Sequence, residues 1–198
     1  MLYNDANKGG STMVYNPKEV SLKDGTVVIL KTPEVKDAKM MLDNIINVAN
    51  STDYLLSAAS DFQKYLDDIS KEEAFIAAKR ESKDHMVAVY LNDVIIGCCS
   101  LDLHFHEKDK HRAVIGIAIQ KPYWDKGIGS ILFDELIEIA KNTEGIEQIE
   151  LDVIANNARA KHLYTKKGFV KTGDIPHQLK LKDGIYLNGE TMVLFLDK

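Results

Sequence analysis

The sequence predicts an α/β domain: a mixed, mostly antiparallel sheet of six to seven strands with helices on both faces. Three observations lead there. Two helical segments come early, between a first strand and a hairpin. A strand–helix–strand run follows in the middle of the chain, and two strands close it. Strand–helix–strand implies a right-handed parallel crossover, so a parallel pair lies near the centre of the sheet among antiparallel neighbours. With 198 residues, 45% of them apolar and 28% charged, the chain can bury one core and is not disordered as a whole.

Residues 1–23 have little periodicity and include Lys8-Gly-Gly-Ser-Thr12, so they read as a loosely ordered extension before a single domain over 24–198. Asp24-Gly25 is a turn signal and Thr26–Leu30 a β-rich run. Thr32-Pro33-Glu34 has the chemistry of a helix start, with a hydroxyl at N-cap and proline at N1. Ala38, Met41, Leu42, Ile45, Ile46 and Ala49 then recur at helical spacing. Ser70 and Glu73 have capping-box spacing and open a helix to about Glu81, while 50–69 carries no clear pattern. His85–Leu91 and Val94–Phe105 form a hairpin across Asn92-Asp93, and His111–Gln120 is a third, apolar strand. After the loop at 121–130, Leu132, Phe133, Leu136, Ile137 and Ala140 mark one face of a helix. Ile146–Ile154 reads as a strand, Asn157–Lys167 as a helix ended by Gly168, and Phe169–Thr172 as a short strand broken at Gly173-Asp174. Ile185–Asp197 is the last strand.

Composition excludes several functions. Lys+Arg is 25 and Asp+Glu is 30, a formal charge of −5, which disfavours nucleic acid and favours cations such as amines. No apolar run reaches the ~20 residues of a membrane helix, and the first residues do not have the form of a signal peptide. Cys98 and Cys99 are adjacent in an apolar run, forming neither a disulfide framework nor a zinc set. They read as reduced, packed thiols of a cytoplasmic protein. No His/Asp/Glu cluster has metal-ligand spacing, so no metal is expected.

The chemistry concentrates in Trp124-Asp-Lys-Gly-Ile-Gly-Ser130, between a buried strand and an amphipathic helix. Glycines at 127 and 129 let backbone N–H groups approach a ligand closely, and the helix start adds unpaired N–H groups and a positive dipole end. That suits a pyrophosphate. The dinucleotide fingerprint is excluded because its third small residue would fall on Leu132. The P-loop is excluded because Gly129 is followed by Ser130 and Ile131.

The two glycines, together with Asn157, Ala160, Leu163, Tyr164, Gly168 and Phe169, resemble the two signatures of the GNAT superfamily of acetyl-CoA-dependent N-acetyltransferases. The first signature, Gln/Arg-x-x-Gly-x-Gly/Ala, is met at Gly127 and Gly129 but departs from the family at Trp124, which is neither Gln nor Arg. The second, Asn-x-x-Ala-x-x-Leu-Tyr-x-x-x-Gly-Phe, is met at every position.

The resemblance implies that the parallel pair splays apart and that acetyl-CoA enters the gap. Its pantetheine arm would lie along Ile117, Ala118 and Ile119. The amides of Lys126, Gly127, Ile128, Gly129 and Ser130 would cradle its pyrophosphate, and Asn157 would touch it by its side chain. Tyr164 would protonate the leaving thiolate. The family's usual strand carboxylate is missing from Ala113-Val114-Ile115-Gly116, so the general base is left among Asp102, Glu150 and Asp152, with His104 and His106 as further candidates.

The expected function is direct transfer of acetyl from acetyl-CoA to a primary amine of a small molecule or peptide. The alternatives are a protein N-terminal acetyltransferase of the ribosomal-protein type and, in another class, a non-catalytic acyl-CoA-binding module. Acetyl-CoA and an amine are the expected partners, with neither nucleic acid nor membrane, and a homodimer is left open.

Overall fold

The computed structural model describes residues 14–197. Its frame is one eight-stranded sheet. The strands are β1 (Lys18–Ser21), β2 (Val27–Lys31), β3 (His85–Leu91), β4 (Val94–Leu103), β5 (Arg112–Ile119), β6 (Gln148–Ile154), β7 (Val170–Lys180) and β8 (Tyr186–Phe195). Their spatial order is β1-β2-β3-β4-β5-β6-β8-β7. β5 and β6 run parallel and the other neighbouring pairs are antiparallel. The helices are α1 (Ala38–Ser51), α2 (Ala59–Gln63), α3 (Ser70–Glu81), α4 (Ile128–Asn142) and α5 (Ala158–Lys166).

β3 shows how the sheet is covered on both sides. Val87 and Val89 enter a core with Leu132, Phe133 and Leu136 of α4 and Tyr164 of α5. Met86, Ala88 and Tyr90, which alternate with them, enter a second core with Ala38 and Met41 of α1 and Ile76 of α3. Asn92 and Asp93 both take positive φ, 50° and 62°, as a two-residue type I′ hairpin turn requires.

The eighth strand is β1, which lies in the segment expected to be loosely ordered. Residues 1–13 lie outside the described residues, but the expectation fails for 14–23. β1 pairs with β2 from Lys18↔Leu30 to Ser21↔Val27, and Leu22 is core. The Tyr15 amide donates to Thr32 Oγ1 at 2.8 Å, and the Tyr15 hydroxyl and Lys18 Nζ both donate to Glu135 of α4 at 2.5 Å. A four-residue strand is stabilised by its partners rather than by any repeat of its own. A chain beginning at Asp24 should therefore melt below one beginning at Val14. Losing the burial of Leu22 alone costs ~2 kcal/mol, which lowers Tm by roughly 4–8 °C in a thermal scan.

Two further differences have local causes. α1 starts at Ala38, after a 3-10 turn over Val35–Asp37. The Thr32 hydroxyl is taken by Tyr15, and the Glu34 amide instead donates to Asp37 Oδ2 at 2.9 Å. β7 does not stop at Gly173 but runs to Lys180, with register shifts between Lys171 and Gly173 and between Ile175 and Leu179.

Candidate active site

β5 and β6 are hydrogen-bonded neighbours only from Arg112↔Gln148 to Val114↔Glu150. Beyond that point each follows its other neighbour. β5 stays with β4 as far as Ile119, and β6 stays with β8 as far as Ile154. A wedge-shaped gap opens between Ile115–Ile119 and Leu151–Ile154. The Gln120 amide bonds to Ile96 on β4, and ladder direction alternates, so the backbone groups of Ile117 and Ile119 face the gap while those of Ala118 face β4. The Ile119 carbonyl is already taken by the Trp124 indole N–H at 2.7 Å. Ile117 is left as the residue whose N–H and C=O are both turned to an entering chain.

The loop at the end of β5 leads straight into α4. Gly127 is the N-cap at φ 92°, a left-handed geometry that glycine adopts without cost, and no side chain caps the helix. The amides of Ile128, Gly129 and Ser130 are thus turned outward at the positive helix end, a ready cradle for phosphate oxygens. Gly129 also lets the helix sit down. A Cβ there would lie 3.0 Å from Leu163 Cδ2 and 3.6 Å from Ile119 Cδ1. The Lys126 ammonium is directed to Asp24 at 2.8 Å, so of this residue the backbone is what remains for a ligand.

Tyr164 lies on α5, facing the α4 core. Its ring is 5.1 Å from Phe133 and 6.2 Å from Phe169 between centroids, both tilted. The helix ends in a Schellman motif, with Phe169 N–H to Tyr164 O at 3.0 Å and Gly168 N–H to Thr165 O at 3.0 Å. Phe169 thereby returns onto Tyr164. The ring is 8% exposed, and burial pushes the phenol up to about 12. Among the described residues the hydroxyl has no hydrogen-bond partner. A phenol in that state is a proton donor at neutral pH. Asn157 is the N-cap of α5, with Oδ1 accepting from the Ala160 amide at 3.2 Å. Its carbonyl is thus engaged in the helix, and only its NH₂ could reach a ligand.

Alternation and register put Ser100 and Asp102 of β4, Val114 and Gly116 of β5, Glu150 and Asp152 of β6 and Thr191 of β8 on one sheet face. The three carboxylates considered as bases do share this face, but in different states. Lys79 of α3 reaches Asp102 at 2.5 Å and Asp84 at 2.8 Å. Arg112 grips Glu150 with two N–H groups, and Gln148 adds a third donor at 2.7 Å; the guanidinium holds this carboxyl below its usual range. Among the described residues Asp152 has only the Thr191 hydroxyl, at 2.8 Å. His104 is turned to Asp109, 3.1 Å away.

Asp152 also borders a cavity of about 200 Å³ with Tyr54, Leu56, Ile154, Gln178 and Leu179. Tyr54 and Leu56 come from the connection between α1 and α2, a stretch in which the sequence carries no periodic signal. Gln178 lies across Gly189, where a Cβ would meet its Oε1 at 1.7 Å. Among the described residues no group of three or more His, Cys, Asp or Glu is placed to hold a metal, and no helix is long and apolar enough to cross a membrane.

The splayed pair, the uncapped start of α4 and Tyr164 of α5 gather at one end of the sheet. Residues 50–169 match the family model described as the acetyltransferase (GNAT) family. The chain belongs to the GNAT family and is an N-acetyltransferase. It is 30% identical over 115 residues, 58% of this chain and 70% of the relative, to an L-amino acid N-acetyltransferase of Escherichia coli K12. A GNAT-family acetyltransferase of Streptococcus pneumoniae superposes with a TM-score of 0.77 at 25% identity, over 85% of this chain and 99% of that one. The protein yncA of Salmonella typhimurium, solved with its cofactor acetyl-CoA, superposes with a TM-score of 0.72 at 19% identity, over 86% and 95% of the two chains.

Proposed function

We propose that the chain moves the acetyl group of acetyl-CoA directly to the primary amine of a small, cationic acceptor. The observation that carries this reading is the gap between β5 and β6, with a free strand edge at Ile117, an uncapped helix start beside it and the unpartnered Tyr164 phenol. When bound, acetyl-CoA supplies the activated carbonyl. The Ile117 edge aligns the pantetheine arm and can donate a backbone N–H toward the carbonyl oxygen. The amides of 128–130 hold the pyrophosphate. As the amine nitrogen bonds to the carbonyl carbon and the C–S bond breaks, Tyr164 gives its proton to the departing sulfur. The amine's own surplus proton leaves toward the acidic face.

On that face Asp152 is the carboxylate assigned to the acceptor, because Asp102 and Glu150 are already neutralised by Lys79 and Arg112. The cavity it borders, about 200 Å³, is below the ~300 Å³ at which drug-sized ligands are usually held, which favours a small amine over a protein N-terminus. The name of the Escherichia coli relative points the same way.

The test is an acceptor panel followed by release of free CoA thiol. Cationic amines should outcompete neutral and anionic ones, and the rate should rise with pH as the ammonium, with an ordinary pKa of ~10, loses its proton. Asp152→Asn should raise KM for a cationic amine about tenfold and leave KM for acetyl-CoA unchanged. A panel in which only peptide N-termini react would favour the protein acetyltransferase reading. Equal KM values for Asp152→Asn and wild type would remove Asp152 from the acceptor site.

A further inference from the structure

Arg159 stands in the first turn of α5, and its guanidinium carbon lies 3.5 Å from the centroid of the Trp124 ring. Trp124 is in turn pinned through its indole N–H to the Ile119 carbonyl, at the edge of the gap. One partner of the stack follows β5 and the other follows β6, so the pair bridges the mouth of the wedge next to the α4 cradle. Arg159 is exposed on its other side, and among the described residues it makes no hydrogen bond and no ion pair. Asp125 acts on it only through space. Its five N–H donors are therefore unengaged at the start of α5, the helix whose Leu163 packs against Gly129. Lys126, by contrast, is spent on Asp24.

We propose that Arg159, held flat on Trp124, is the cationic contact for the pyrophosphate of the acyl-CoA cosubstrate. It does so in place of the Gln or Arg that the family signature carries where this chain has Trp124. The indole has no charge to offer a phosphate, but it is a platform that fixes the plane of a guanidinium brought in from another helix. Two parallel N–H groups of a fixed guanidinium suit two phosphate oxygens, which the point charge of a lysine does not. The inference rests on the reading of the chain as acetyl-CoA-dependent and adds a residue that neither signature names.

The experiment is calorimetry of CoA, 3′-dephospho-CoA and pantetheine with wild type, Arg159→Met and Arg159→Lys, each first checked for an unchanged circular dichroism spectrum. Methionine keeps an unbranched chain over the indole and removes the charge. Arg159→Met should bind CoA and dephospho-CoA about tenfold more weakly than wild type, with the same factor for both, and pantetheine equally well. Arg159→Lys should fall between the two. Equal CoA affinity for wild type and Arg159→Met would overturn the proposal. So would a loss seen with CoA and absent with dephospho-CoA, because the 3′-phosphate would then be the contact. Wild-type protein that binds no CoA at all would overturn the acetyl-CoA reading along with it.

Discussion

Tyr164→Phe should lower kcat by roughly 10²–10⁴-fold while KM for acetyl-CoA and the fold stay near wild type. The substitution removes one oxygen. The ring contacts to Phe133 and Phe169 and the Schellman closure at Gly168 and Phe169 are made by the ring and the backbone, and phenylalanine keeps them. Because the hydroxyl has no hydrogen-bond partner among the described residues, its loss orphans none of them and should be close to neutral for stability. What is lost is a proton held ready by burial. With its pKa pushed up to about 12, the phenol stays protonated across the working range, so wild-type kcat should not decline as the pH is raised toward 10. Pre-steady-state measurement of thiol release is the appropriate reading, since it isolates chemistry from product release. Full activity in the Phe variant under those conditions would reduce Tyr164 to a core aromatic.

The second large effect is expected at Gly129. Gly129→Val should weaken CoA binding by at least tenfold, about 1.4 kcal/mol, and should lower the melting temperature as well. Two separate events are involved. The branched side chain stands in the path of the pyrophosphate, and its two methyl groups extend from a Cβ that already falls 3.0 Å from Leu163 Cδ2, which pushes α4 away from α5. Overpacking of that kind costs about 1–3 kcal/mol. Gly129→Ala separates them, because a single methyl asks only the tip of Leu163 to move. Calorimetry and thermal melts on both variants give the two contributions. A folded valine variant that binds CoA as wild type does would mean that the glycine serves packing alone.

Much of this architecture is written locally, and what was not legible shares one property. α3 covers Ser70–Glu81 and β3 covers His85–Leu91, close to the ranges the sequence predicts, although the Ser70–Glu73 capping box is not formed: Ile69 is the N-cap and the Ser70 hydroxyl donates to Asp68. The Gly168 helix end also follows from neighbours in sequence. The sheet was expected to have six to seven strands and has eight, because β1 depends on β2 and on Glu135, more than a hundred residues away. β7 carries Pro176 and a positive φ at His177, features that look like a break and become strand only beside β8. The site divides in the same way. The glycine loop, Asn157 and Tyr164 are short motifs. That Asp102 and Glu150 are held by Lys79 and Arg112, 23 and 38 residues away, depends on the folded sheet. The Arg159–Trp124 stack, 35 residues apart, depends on the same splay that opens the site.

The two outer strands bear on how copies of this chain meet. Any sheet exposes a row of unpaired backbone groups at each end, a template on which another strand can grow. Here one end is β1, only four residues long and strapped to α4 by Tyr15 and Lys18. At the other end, β7 has a proline, which offers no N–H, and two register slips that break the even spacing an incoming strand would need. Among the described residues neither end presents a long, flat, regular ladder. Concentrated protein should therefore resist ribbon-like association through its sheet, and a thioflavin signal should stay flat during storage of the folded enzyme. Replacing Pro176 with valine would return a backbone donor to β7 and is the change most apt to make the protein stick to itself.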